Sequence, residues 1–297
     1  MKSFFQRNGS SFALFFIVLC GTFFALMLAV PKAEPIFGLH TNQAAKNDNK
    51  EVIHYTAIGD SLTEGVGDLT NTGGFVPLVA NDLQKKYQLN GVQTDNFGKN
   101  GDRSDQILKR VKKKKEIQKG IASADVISLT VGGNDLMKVI KGDVFNLTEN
   151  SFKKPLKSYQ NEVAKLLTEI RKYNANAPIY VVGIYNPFYL NFPEITEMQE
   201  IVTNWNNGTE EIVKEEKNAY FIPVNDLLYK GIGGEVGIVG ESTSQTDSSS
   251  DTSIKNDALY EEDHFHPNNL GYQVIAGAVR DEMIKTQEKW LPKGRED

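Results

Sequence analysis

The chain has 297 residues, 40% of them apolar and 24% charged, a globular mixture that excludes collagen-like and disordered classes. Lys and Arg number 33 against 38 Asp and Glu, and because the first thirty residues hold Lys2 and Arg7 but no acid, the rest carries −7, which argues against a nucleic-acid binder. One cysteine, Cys20, and four histidines exclude an intrachain disulfide, cysteine-rich metal sites and most His-based metal centres.

Residues 11–30 form an uncharged apolar run of twenty residues, and at about 1.5 Å rise each they would cross a hydrocarbon core of roughly 30 Å. The run is longer than a usual signal-peptide core, and Pro31 before Ala33 makes a poor cleavage site. It therefore predicts an uncleaved single-pass anchor in the cell membrane, with the following domain extracytoplasmic, or a secreted protein if residues 1–30 are removed. Lys2 and Arg7 favour an N-terminus inside. Cys20 is a weak lipid-attachment candidate because bulky Leu19 precedes it. Residues 31–50 lack a sustained period and read as a linker.

From residue 51 to 297 the pattern is that of a single domain. Short β-branched or aromatic runs, Val52–Ile58, Val92–Phe97, Asp125–Val131, Ile179–Ile184 and Ala219–Val224, predict five strands. Between and after them lie helical faces: Leu156, Tyr159, Val163, Leu166, Leu167 and Ile170; Ile195, Met198, Val202 and Trp205; Leu270, Val274, Ala278 and Met283. Strands alternating with helices imply parallel βαβ units and a three-layer α/β/α sandwich, whose ligand site lies at the C-terminal ends of the strands.

The residues following those strands are therefore the candidates for chemistry. Strand one is followed by Gly59-Asp60-Ser61-Leu62-Thr63-Glu64-Gly65, strand two by Gly98-Lys99-Asn100-Gly101-Asp102, and strand three by Gly132-Gly133-Asn134-Asp135. Asp263-His264-Phe265-His266-Pro267-Asn268 precedes the last helix. The glycines of residues 59–74 match neither phosphate-binding pattern, G-x-x-x-x-G-K-[ST] nor G-x-G-x-x-G.

Together these four blocks resemble the SGNH (GDSL-type) hydrolase family, over roughly residues 52–289. The pattern G-D-S-L-T-E-G-V-G-D with D-H-F-H-P-N is similar to bacterial extracytoplasmic lipase- and esterase-like members. The resemblance implies a flavodoxin-like five-stranded parallel sheet, Ser61 as nucleophile, an Asp263–His266 pair, and Ser61, Gly101 and Asn134 around the oxyanion, with Gly98 the competitor of Gly101. The chemistry agrees. A serine hydroxyl needs a neighbouring base, which His266 can supply, and Asp263 can fix its tautomer if the segment turns back on itself. Backbone N–H groups and an uncharged amide suit a developing oxyanion.

Other residues have plainer readings. Asp60 reads as a structural brace for the nucleophile turn, and Asp135 as a cap on the helix after strand three. His54 reads as a packed or edge residue of the first strand and His264 as a pocket or surface residue. Tyr185 and Asn186, with Pro187 and Phe188, follow strand four and are expected to contact substrate. Lys109, Arg110, Lys112, Lys113, Lys114, Lys115 and Lys119 form a cationic run on the second helix. It reads as a solvated face, with Lys112–Lys115 the candidate contact for anionic lipid or a wall polymer. Residues 241–258 are polar and low in complexity, a loop insertion. The expected activity is a serine esterase or lipase acting on small-molecule or lipid esters, for which no metal or organic cofactor is implied. The alternatives are an O-acetyl esterase acting on extracellular glycan and a non-catalytic binding protein.

Overall fold

A computed structural model describes residues 52–142, 148–187, 196–229 and 258–291. The apolar run 11–30, the linker, Phe188 and nearly all of the 241–258 insertion lie outside the described residues. Within them, five strands alternate with helices: β1 (Val52–Gly59), α1 (Ser61–Glu64), α2 (Phe75–Lys86), β2 (Gly91–Gly98), α3 (Ser104–Lys113), α4 (Lys115–Ser123), β3 (Val126–Thr130), α5 (Gly133–Gly142) and α6 (Glu149–Tyr173). Then come β4 (Ile179–Val182), α7 (Thr196–Lys214), β5 (Ala219–Ile222), α8 (Asn225–Tyr229) and α9 (Asn269–Lys285), which ends in a 3-10 turn at Gln287–Lys289.

Every strand pair is parallel and the spatial order is β2-β1-β3-β4-β5. The chain thus reverses its direction of winding between β1 and β3, which leaves a crevice beyond their C-terminal ends. The sequence pattern placed all five strands to within two residues, and β3 and β4, buried at every residue, are the runs with the fewest alternatives. Ile58, Ile127, Leu129, Val181 and the helices α3, α4, α6 and α7 build the core on one face of the sheet. Ile53, Tyr55, Val126, Tyr180 and the helices α2 and α9 build it on the other.

Three expectations need correction. The helix after β2 is two helices, broken at Lys114, whose backbone is extended. The buried face of α9 carries Tyr272, Ile275, Ala276, Val279 and Met283, while Val274 and Ala278 only flank it. Arg110 is not part of a solvated cationic face. Its guanidinium is turned inward, whereas Lys109, Lys112–Lys115 and Lys119 are exposed.

Candidate active site

Ser61 is the first residue of α1, immediately beyond β1. Asp60 caps that helix through Oδ1, which accepts from the Leu62 N–H at 3.1 Å and from the Thr130 hydroxyl at 2.7 Å. Burial raises the Asp60 pKa, and the Thr130 hydroxyl only partly offsets this. The brace expected of Asp60 is therefore a tie from the Ser61 turn to the end of β3, and Thr63 joins it at 2.8 Å from Thr130.

His266 reaches Ser61 from the far end of the chain. Its Nε2 lies 3.0 Å from Ser61 Oγ, and its Nδ1 lies 2.6 Å from Asp263 Oδ2. The segment turns back as D-x-x-H requires, because Asp263 Oδ1 accepts from the Phe265 and His266 N–H groups, each at 2.9 Å. A bridge between Leu259 and Pro267, a bond from the Tyr260 N–H to the His266 carbonyl and the Asn268 cap on α9 complete the local frame. Burial opposes the charge on Asp263, but the bonds from the His266 ring and from the two N–H groups outweigh it and lower its pKa.

The second block lies against the first. The Gly98 backbone approaches α1 so closely that a Cβ there would stand 2.0 Å from the Glu64 nitrogen. The Gly98 N–H is already given to Asn96 Oδ1 at 2.9 Å, which removes it as an oxyanion donor. Gly101 has φ +80°, a left-handed conformation that favours glycine, and its N–H meets no partner among the described residues. Asn134, at the start of α5, gives one Nδ2 hydrogen to the Asp102 carbonyl at 3.0 Å, which leaves the other available. Asp135 does cap a helix, but not its own: its carboxylate accepts from the Ser104 N–H at 2.9 Å and hydroxyl at 2.6 Å, at the start of α3.

A cleft opens beside Ser61 and His266, lined by Leu62, Val131, Val182, Ile184, Tyr185 and Phe265 among others. Tyr185 stands in this lining, and its hydroxyl donates to the Phe265 carbonyl at 2.6 Å, holding the histidine segment. Asn186 does not line the cleft. It is 2% exposed, its N–H given to Asn225 and its amide to Gln199, so the substrate contact expected of it becomes a structural role. Pro187 takes its place in the lining. His264 is exposed with φ 50°, and His54 is a half-buried strand residue whose N–H donates to Asp125. Among the described residues no group of three or more His, Cys, Asp or Glu side chains is placed to hold a metal ion.

One brace escaped the sequence reading. Asp68 accepts from the backbone of Thr70, Thr72, Gly73 and Gly74, from the Thr70 and Thr72 hydroxyls, and from Asn269 on α9. The run D-L-T-N-T-G-G, an Asp followed by Thr and Gly at turn spacing, was its available signal. Burial opposes the Asp68 charge, but the Thr70 hydroxyl and the surrounding N–H groups hold its carboxyl well below the usual range. Asp68→Asn is expected to cost on the order of 2 kcal/mol, several degrees in Tm at pH 7. With a depressed folded-state pKa, that margin is complete above about pH 4 and disappears as pH falls through the folded value. Thermal unfolding of both proteins at pH 7 and at pH 3 measures it, and an unchanged gap at the two values would refute the assignment.

A family model described as the GDSL-like lipase/acylhydrolase family matches residues 57–274. YpmR of Bacillus subtilis (strain 168) is 36% identical over 251 residues, which cover 84% of this chain and 88% of YpmR. The spore germination lipase LipC of Bacillus licheniformis is 25% identical over 234 residues, 77% of this chain and 95% of LipC. Among solved structures, the lipase Lip_vut3 from a goat rumen metagenome shares the fold with a TM-score of 0.61 and 23% identity, over 77% of this chain and 96% of that one.

Proposed function

Since the chain belongs to the GDSL-like lipase/acylhydrolase family and is a carboxylic ester hydrolase, we propose that it cleaves esters of apolar acids through an acyl-Ser61 intermediate, outside the cytoplasmic membrane. The observation that carries the reading is the unbroken series Ser61 Oγ, His266 Nε2, His266 Nδ1, Asp263 Oδ2 beside an apolar cleft.

In this mechanism His266 takes the hydroxyl proton as Ser61 Oγ attacks the ester carbonyl. Asp263 holds the other ring nitrogen as donor and stabilises the imidazolium that forms. The carbonyl oxygen, now an oxyanion, is met by the N–H groups of Ser61 and Gly101 and by the free Nδ2 hydrogen of Asn134. His266 then gives its proton to the leaving alcohol. Water activated by the same imidazole attacks the acyl-Ser61 carbonyl, the Ser61–acyl bond breaks, and the acid is released. The cleft supports an apolar acyl group, because apart from Asp60 and His266 its described lining carries no ionisable side chain except the Tyr185 phenol. Burial pushes that phenol's pKa well up, so it remains neutral.

The extracytoplasmic setting rests on the apolar run 11–30, and the exposed lysines 112–115 support an anionic lipid or wall polymer beside the domain. The full chain in detergent, assayed on p-nitrophenyl esters from acetate to palmitate, tests the substrate reading. Turnover is expected to peak on an acyl chain longer than acetyl. Acetyl-only activity would replace the apolar acid with an O-acetyl group on a glycan, and no turnover on any ester would favour a binding role.

A further inference from the structure

Arg110 stands in the sequence among lysines, yet its side chain is only 12% exposed and is paired with Asp102. Its Nε donates to Asp102 Oδ2 at 2.5 Å, its Nη1 to the Phe97 carbonyl at 2.9 Å and its Nη2 to the Gly59 carbonyl at 2.8 Å. Gly59 ends β1, two residues before Ser61. Phe97 lies at the end of β2, where the loop carrying Gly101 begins. Asp102 follows Gly101 directly, and its carbonyl is the acceptor that orients the Asn134 amide. One planar guanidinium therefore touches the supports of all three proposed oxyanion donors. It also shares the Gly59 carbonyl with the Lys99 N–H, which lies 3.0 Å away.

We propose that Arg110 is a positioning residue that keeps the N–H groups of Ser61 and Gly101 and the amide of Asn134 in register around one oxyanion. The assignment rests on the esterase reading above and adds to it a residue that touches no substrate. Arginine is required because its rigid fork satisfies three acceptors in fixed directions. A lysine ammonium in the same space is a point charge on a flexible stem and cannot hold the three at once. Backbone carbonyls at two strand ends move little by themselves. The element that Arg110 governs is the loop between β2 and α3: among the described residues, no other side chain bonds to that loop, to β1 and to β2 together.

The test compares the full-length wild type, Arg110→Lys, Asn134→Ala and the double variant, with rates normalised to active sites titrated by a fluorophosphonate. Arg110→Lys is expected to lower kcat by about 10- to 100-fold, less than the loss of a complete donor, with KM within about twofold. Affinity for a trifluoromethyl ketone, which forms the tetrahedral adduct, should fall by the same factor as kcat/KM. In the Asn134→Ala background the Arg110→Lys change should lose most of its effect, since both act on one device. Losses that multiply in full, or a change confined to KM or to the titrated fraction, would overturn the assignment. If Arg110→Lys fails to fold, Asp102→Asn, which keeps the shape but removes the charge partner, is read by the same measurements and criteria. An active wild type with normal variants would overturn the role of Arg110 alone, whereas a wild type inert on every ester would overturn the esterase reading and this role together.

Discussion

Ser61→Ala is expected to lower kcat on a p-nitrophenyl ester by about 10⁵- to 10⁶-fold while leaving Tm nearly unchanged. The size follows from what the hydroxyl does in the proposed mechanism. It forms the covalent bond, and without it the pocket can only polarise the carbonyl toward water. The neutrality of fold follows from its surroundings: Ser61 is 5% exposed, but among the described residues its Oγ is hydrogen bonded only to His266, and the turn around it is held by Asp60 and Thr130. Steady-state kinetics with calorimetry on the same preparation checks both halves. Activity surviving within about tenfold of wild type would mean that the acyl-serine mechanism is wrong.

His266→Ala is expected to fall by a similar factor, and the Ser61→Ala, His266→Ala double variant to fall no further, because the two act as one unit. Asp263→Asn should lose about 10⁴-fold, since an amide at that place favours the wrong tautomer of the ring while leaving the geometry intact. The direction of the Asp263 shift adds a pH signature. Its carboxyl is held below the ordinary range, so it remains charged as pH falls through about 4. Any decline of kcat/KM in wild type above that value is therefore not the titration of Asp263, and its contribution is lost only as pH falls through the depressed value. Multiplicative losses in the double variant would separate the two residues and contradict a shared step.

The parts of the molecule that were legible in the sequence are those set by local pattern. The strands were marked by runs such as Val126–Thr130, buried on every residue, and three of the four blocks were marked by lying at strand ends, the fourth by its place before the last helix. What escaped depends on contacts between segments far apart. A charge pattern cannot distinguish Arg110, which faces three acceptors on β1, β2 and the following loop, from the lysines beside it. Asn186 follows β4 as a substrate contact would, but Asn225 and Gln199 claim it from two other elements. Asp135 has the composition of a cap at its own helix, and only the approach of α3 shows which helix it caps. On α9 the pattern was correct in period and displaced in phase, because Tyr272 turns inward to donate to the Val66 carbonyl at 2.6 Å.

The distance along the chain between Ser61 and His266 has a consequence for synthesis. They are separated by 205 residues, and the sheet order can be completed before the segment carrying His266 has been made. A growing chain emerges from its N-terminus, so the proposed nucleophile is exposed early, with a hydroxyl of ordinary reactivity. Contacts of such long range form only after the intervening chain is available to close the loop. In the proposed mechanism hydrolytic power therefore arrives with the docking of α9, and a truncated or stalled product carries the serine but not the means to use it.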